Sequence, residues 1–226
     1  MRVIERVPPL DVMEQLLHIT LDVWCGSMPK IVDGELRRHM LADAASRLIA
    51  RGGLGAATMR DIATEAGLTT GSVTHYFADK RELLVFTLTA SLQHRRGRRD
   101  SAAAAGPHAA LRASLEGALP LDAERSRHWM VTIAFCAVAA GDEELAAVQR
   151  LAYREFRDNV AAQLRLCGCA SASARHEAER LIAVVDGVAV QAIFDPQSWP
   201  ARRQRRLLDE ALASAGLAAA PRLPLG

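Results

Sequence analysis

The chain has 226 residues, half of them apolar, and a formal net charge of +2. That much apolar material can bury a sizeable core, which excludes a disordered tail, and the length suits one large domain or a small domain fused to a larger one. Ala, Leu, Arg and Glu prevail over period-two runs of β-branched residues, so an all-α fold is expected.

The first 27 residues include LLHITLDVW, but Glu14 and Asp22 bracket the apolar run and no small-residue cleavage site follows a basic start. No window approaches the roughly 18–20 uninterrupted apolar residues that span a bilayer, so no membrane partner is expected. Four cysteines (Cys25, Cys136, Cys167, Cys169) are too few and too irregular for a disulfide framework, and a cytoplasmic location is the expectation. Residues 1–27 read as an N-terminal extension, disordered or ahead of a true start at Met28; the rival is a small packed helix using Leu16, Leu17, Ile19 and Trp24. Residues 28–100 hold twelve Lys/Arg against eight Asp/Glu, while the rest is slightly acidic, which points to one end meeting a polyanion.

From Asp33, read as a helix cap, Leu36, Met40, Leu41, Ala44, Leu48 and Ile49 recur at helical steps until RGGLG stops the run. Thr58 caps a second helix from Met59 to Ala66, with Asp61 expected to accept the reciprocal hydrogen bond of a capping box. Gly67 closes it, Thr69 or Thr70 caps a third helix reaching Tyr76, and Asp79 with Glu82 opens a fourth that carries Leu83, Leu84, Leu88 and Leu92. RRGRRD at 95–100 reads as the solvated end of that helix and residues 101–106 as a linker. Further helices are expected near 107–118, 122–140, 142–167, 172–194 and 200–215.

The spacing Ala63, Gly67, Val73 supplies what two steeply crossing helices joined by a short turn require: a small contact residue, a left-handed backbone position and an inward apolar side chain. Once Val73 points inward, Thr70, Ser72, Thr74 and His75 point largely outward on a short helix with almost no charge. Such side chains suit a helix entering a major groove, and Gly71 removes bulk where a backbone comes close. Thr58, Arg60, Thr69, Tyr76 and Lys80 on the flanks suit phosphate oxygens.

The run DIATEAGLTTGSVTHYFADKREL resembles the helix-turn-helix of the TetR family of transcriptional regulators, with Ala63, Gly67, Val73, Tyr76, Phe77, Lys80 and Leu83 matching together. MPKIVD at 28–33 and VDGVAVQAIFDPQSWPARRQ at 185–204 are further similar to BetI-type regulators, whose named member responds to choline. The resemblance implies an N-terminal three-helix DNA-binding domain over 28–85, a larger helical ligand-binding and dimerisation domain over 86–215, and a flexible tail over 216–226. It implies a homodimeric repressor released from a palindromic double-stranded DNA operator by a small-molecule effector. The alternative is the same DNA-binding module without an effector.

The resemblance places Trp129, Phe135, Tyr153 and Phe156 around the effector, although Trp129 and Phe135 are one residue short of two full turns apart. It places Val184, Gly187, Val188, Gln191 and Leu207 in a dimer interface, where Gly187 would let two helices approach closely. Asp186 is an acid inside an apolar helix and needs a partner. Assigned to the dimer side, it leaves an uncharged apolar effector favoured over choline. No cofactor or metal is expected, because Cys167-Gly168-Cys169 has no second pair nearby. No ordered nucleophile, base and orienting group is present either, so the chain is not expected to be an enzyme.

Overall fold

The computed structural model of the chain describes residues 30–217, except for the side chains of residues 30–33, 94–96, 98 and 99. The expectations for residues 1–27, for Cys25, for the tail beyond 217 and for the arginine side chains of RRGRRD lie outside the described residues. The chain divides into two compact units, Met1–Glu35 and Leu36–Gly226. The second holds the core and the sites described below.

The helices are α1 (Lys30–Gly52), α2 (Met59–Glu65), α3 (Thr70–Tyr76), α4 (Lys80–Ala103), α5 (Pro107–Glu116), α6 (Ala123–Ala139), α7 (Glu143–Leu166), α8 (Ser171–Phe194) and α9 (Ala201–Ser214), with a 3₁₀ turn at Leu54–Ala56. Among the described residues there is no strand, so the all-α fold holds. Most helix starts follow from short-range capping. Thr58, Thr69, Asp79, Asp122 and Asp142 each accept a backbone N–H two or three residues on.

Three local expectations are corrected. Asp33 does not mark the start of its helix, because α1 already runs at Lys30. Residues 101–106 are no linker: α4 continues through Ala103, and a tight turn at Gly106, with φ of 101°, leads straight into Pro107 of α5. Leu36 and Met40 do not face the core but are 58% and 40% exposed, while Leu41, Ala44 and Ile49 are buried. At 3.6 residues per turn Met40 lies about 100°, and Leu36 about 140°, around the helix from Leu41, which takes both off the inner stripe.

Two buried clusters form the core. One joins α5, α7, α8 and α9 through Leu115, Leu119, Val160, Leu164, Leu181 and Leu208. The other gathers Ile49, Ile62, Val73, Phe77, Leu83 and Leu88 from α1 to α4, and it also takes in Val131, Phe135, Ala139 and Leu145 from α6 and α7. The first four helices are thus packed on the side chains of α6.

A charged fork reinforces that joint. Arg81, in the first turn of α4, donates to both carboxylate oxygens of Asp142, which caps α7, and also to Glu144 at 2.7 Å. The Leu145 N–H, followed by Arg81, holds the Asp142 carboxyl below its ordinary range. A depressed folded-state pKa means that the contribution is present above the unfolded value of about 3.9 and is lost as pH falls through the folded one. Asn caps a helix as well as Asp, so Asp142→Asn removes mainly the charge. The stability difference between wild type and Asp142→Asn, from urea titrations, should therefore be largest near neutrality and shrink below about pH 4. A difference that stays constant down to pH 2 would show that the charge contributes nothing.

Candidate functional site

The turn between α2 and α3 is built by backbone geometry. Gly67 has φ of 68°, its N–H reaches the Thr64 carbonyl at 3.1 Å, and the Leu68 N–H reaches the Ala63 carbonyl at 2.8 Å. This pair of bonds is a Schellman closure, whose left-handed position favours glycine. Ala63 and Val73 are 2% and 0% exposed, which fixes the crossing of the two helices and turns the opposite side of α3 outward.

On that outward side Thr69, Thr70, Gly71, Thr74 and His75 are exposed, as are Thr58 and Arg60 at the start of α2, while Ser72, Tyr76 and Lys80 are half-buried. Several of these side chains also serve the fold. Thr58 takes the Asp61 N–H at 3.2 Å, but Asp61 returns the contact through the Thr58 hydroxyl rather than its backbone, since Asp is one methylene shorter than the usual Glu. Thr69 accepts the Ser72 N–H at 3.2 Å and lies 3.0 Å from its hydroxyl. The Thr74 hydroxyl donates to the Gly71 carbonyl, and Lys80 Nζ donates to the Leu54 carbonyl at 2.6 Å, across to the 3₁₀ turn. A Cβ on Gly71 would meet only Thr69 Oγ1, at 3.9 Å, so nothing inside the chain demands glycine there.

Arg38 of α1 organises the end of α3, and the helical pattern alone did not single it out. Its guanidinium donates to the Tyr76 carbonyl at 2.8 Å and to Glu82 at 3.1 Å, and it lies 4.4 and 4.6 Å from the ring centroids of Phe77 and Phe86. Glu82 in turn accepts the Ala78 N–H at 2.8 Å. The partners are 38 and 44 residues from Arg38, and an arginine on an amphipathic helix carries no sign of them.

A cavity with about 40 Å³ of free space lies between α4, α6, α7 and α8. Three of the four rings expected around an effector border it: Trp129, Tyr153 and Phe156. Phe135 does not. It is 0% exposed within the cluster that supports α1 to α4, because six residues at 100° each turn it about 120° around α6 from Trp129. The Trp129 indole N–H donates to the Ala118 carbonyl at 2.8 Å, outside the cavity lining.

Asp186 also borders the cavity, where its carboxylate accepts the Tyr153 hydroxyl at 2.8 Å. That corrects its assignment to the dimer side and removes the ground for preferring an uncharged effector. Burial, then the Asp186 charge, push the Cys136 thiol up, so it stays protonated. From α4 the cavity takes Leu88, Ser91 and Leu92; Gln149 contributes from α7.

Of the residues expected in a dimer interface, Gly187 and Gln191 are exposed, Val184 and Leu207 half-buried and Val188 buried. Gly187, Val190, Gln191 and Phe194 fall at helical spacing on α8, with Val190 41% and Phe194 74% exposed. A Cβ on Gly187 would meet nothing within 4 Å. Among the described residues no group of three or more His, Cys, Asp and Glu is placed to hold a metal, and no helix is long and apolar enough to cross a membrane.

Residues 41–85 match the family model for bacterial regulatory proteins of the tetR family, and residues 107–216 that for the C-terminal region of BetI-type transcriptional repressors. The chain is 32% identical over 185 residues to the HTH-type transcriptional regulator PksA of Bacillus subtilis, covering 80% of this chain and 90% of PksA. It is 34% identical over 165 residues to the HTH-type transcriptional regulator BetI of Burkholderia mallei, covering 71% and 84%. A transcriptional regulator from Rhodococcus superposes with a TM-score of 0.71 at 32% identity, over 81% of this chain and 99% of that one. A regulator from Saccharomonospora viridis, solved in complex with choline, shares the fold at a TM-score of 0.69 and 21% identity, over 79% and 96%.

Proposed function

Because the chain belongs to the TetR family of DNA-binding transcriptional regulators and is not an enzyme, we propose that it is a homodimeric repressor released from a palindromic operator by a small molecule. In this scheme residues 28–85 bind DNA and residues 86–215 bind the effector and the second subunit. The outward side of α3, with Thr70, Thr74 and His75, reads base edges, while Thr58, Arg60 and Tyr76 meet phosphates. The two recognition helices of the dimer then reach half-sites one helical turn, about 34–36 Å, or a multiple of that apart.

The observation that carries the ligand response is the dual role of α4. Its cap, Asp79, stands three residues after the end of α3, and the helix lines the cavity with Leu88, Ser91 and Leu92. An effector that prefers one position of α4 therefore also selects one position of α3, and such differential affinity is what couples two sites. The exposed stripe of Gly187, Val190, Gln191 and Phe194 supports an α8 dimer face.

Selection of bound fragments from random DNA, followed by mobility shifts on the selected site, tests the DNA assignment. Thr70→Ala and His75→Ala should each cost about 1–3 kcal/mol on the preferred sequence and relax the preference at one base position. Tyr76→Ala should weaken all sequences alike and leave the salt dependence unchanged, because the phenol carries no charge that displaces counterions. Unchanged affinity and preference in all three variants would remove α3 from the interface.

A further inference from the structure

Occupancy of the cavity by an effector is the premise taken from the proposed function; its walls specify the effector further. Three rings and one carboxylate, those of Trp129, Tyr153, Phe156 and Asp186, border a space of about 40 Å³. Rings and a carboxylate together favour a cation. The one guanidinium in the lining, Arg125, is engaged at the rim: its Nε lies 3.2 Å from Asp122 and its Nη1 donates to the Glu116 carbonyl at 3.3 Å.

Gln149 discriminates between cations. Its Oε1 is buried without a hydrogen-bond partner among the described residues, on a side chain that borders the cavity. A buried acceptor left unmatched is destabilising, and an N–H donor from the occupant would relieve it. Two other cavity groups are acceptors as well: the Asp186 carboxylate, and the Thr132 oxygen, whose proton is directed to the His128 carbonyl. A quaternary nitrogen offers no N–H to any of them.

We propose that the cavity takes a small protonated primary amine in preference to a quaternary ammonium ion. The ammonium N–H groups face Gln149 Oε1 and the Asp186 carboxylate, and the aliphatic part lies against the rings.

Calorimetric titration of the full-length chain with n-butylammonium, n-butyltrimethylammonium and 1-butanol tests this. Wild type should bind the primary ammonium at least about tenfold tighter than the quaternary one, and the alcohol more weakly than either, as expected for about 1.4 kcal/mol or more of added hydrogen bonding. Gln149→Leu should narrow that preference to about threefold or less, what remains resting on Asp186, whereas Gln149→Glu, which keeps an acceptor, should retain it. Thermal melts confirm that both variants fold. Equal or tighter binding of the quaternary ion, a preference unaltered in Gln149→Leu, or no binding of either cation would each overturn the proposal. Operator binding without ligand is scored separately: its loss in wild type would count against the regulator function, and its retention beside failed amine binding against the ligand class alone.

Discussion

Phe135→Ala is expected to lower the melting temperature by roughly 6–20 °C while leaving the walls of the cavity in place. The ring is fully buried among Val73, Phe77, Leu83 and Leu88, so its removal opens a void where α6 supports the first four helices. Truncation of a buried Phe costs about 3–5 kcal/mol, and each kcal/mol shifts the midpoint by about 2–4 °C in a chain of this size. If Phe135 were instead a wall of the ligand site, the variant would keep its stability and lose ligand affinity. A melting curve within about 2 °C of wild type would therefore restore Phe135 to the cavity and remove it from the joint.

Arg38→Ala should cost about 2–4 kcal/mol and weaken operator binding at least about tenfold. The Tyr76 carbonyl loses a charged donor and the Phe77 and Phe86 rings lose their cation; Glu82, partly solvated, contributes little once discounted for screening. Arg38→Lys keeps the charge but cannot span the carbonyl, the carboxylate and two rings at once, so it should recover only part of the loss. The effect on DNA arises because α3 has seven residues and is too short to hold its own geometry. Its N-terminal end is held by Thr69 and its C-terminal end by Arg38. If Arg38→Ala melts and binds like wild type, α3 is positioned by the burial of Val73 and Phe77 alone.

The residues that the amino-acid sequence placed well are those whose partners lie within one helical turn. Thr58, Thr69 and Asp79 cap helices by bonds three residues away, and at Gly67 α2 closes through the Gly67 and Leu68 N–H groups, which reach back three and five residues. The all-α fold and the orientation of α3 follow from such terms, because Val73 has one inward side and the small polar residues of α3 must then take the other. The motif around them is dense enough to identify the family.

Tertiary structure alone decided which side of a helix meets which neighbour. α6 is apolar on several sides, so periodicity could not separate Trp129, beside the cavity, from Phe135, inside the joint with α4. Asp186 shows the same limit. Its place in an apolar helix announced a need for a partner, but only the packing of α7 on α8 brought the Tyr153 hydroxyl to it, 33 residues away in the chain. Arg38 and Arg81 find Tyr76, Glu82 and Asp142 at separations of 38 to 61 residues, distances over which helical periodicity carries no information. Caps and turns are set by the local backbone and can be read from the order of residues, whereas a cavity is set by the rotation of whole helices against one another and exists only once they are packed.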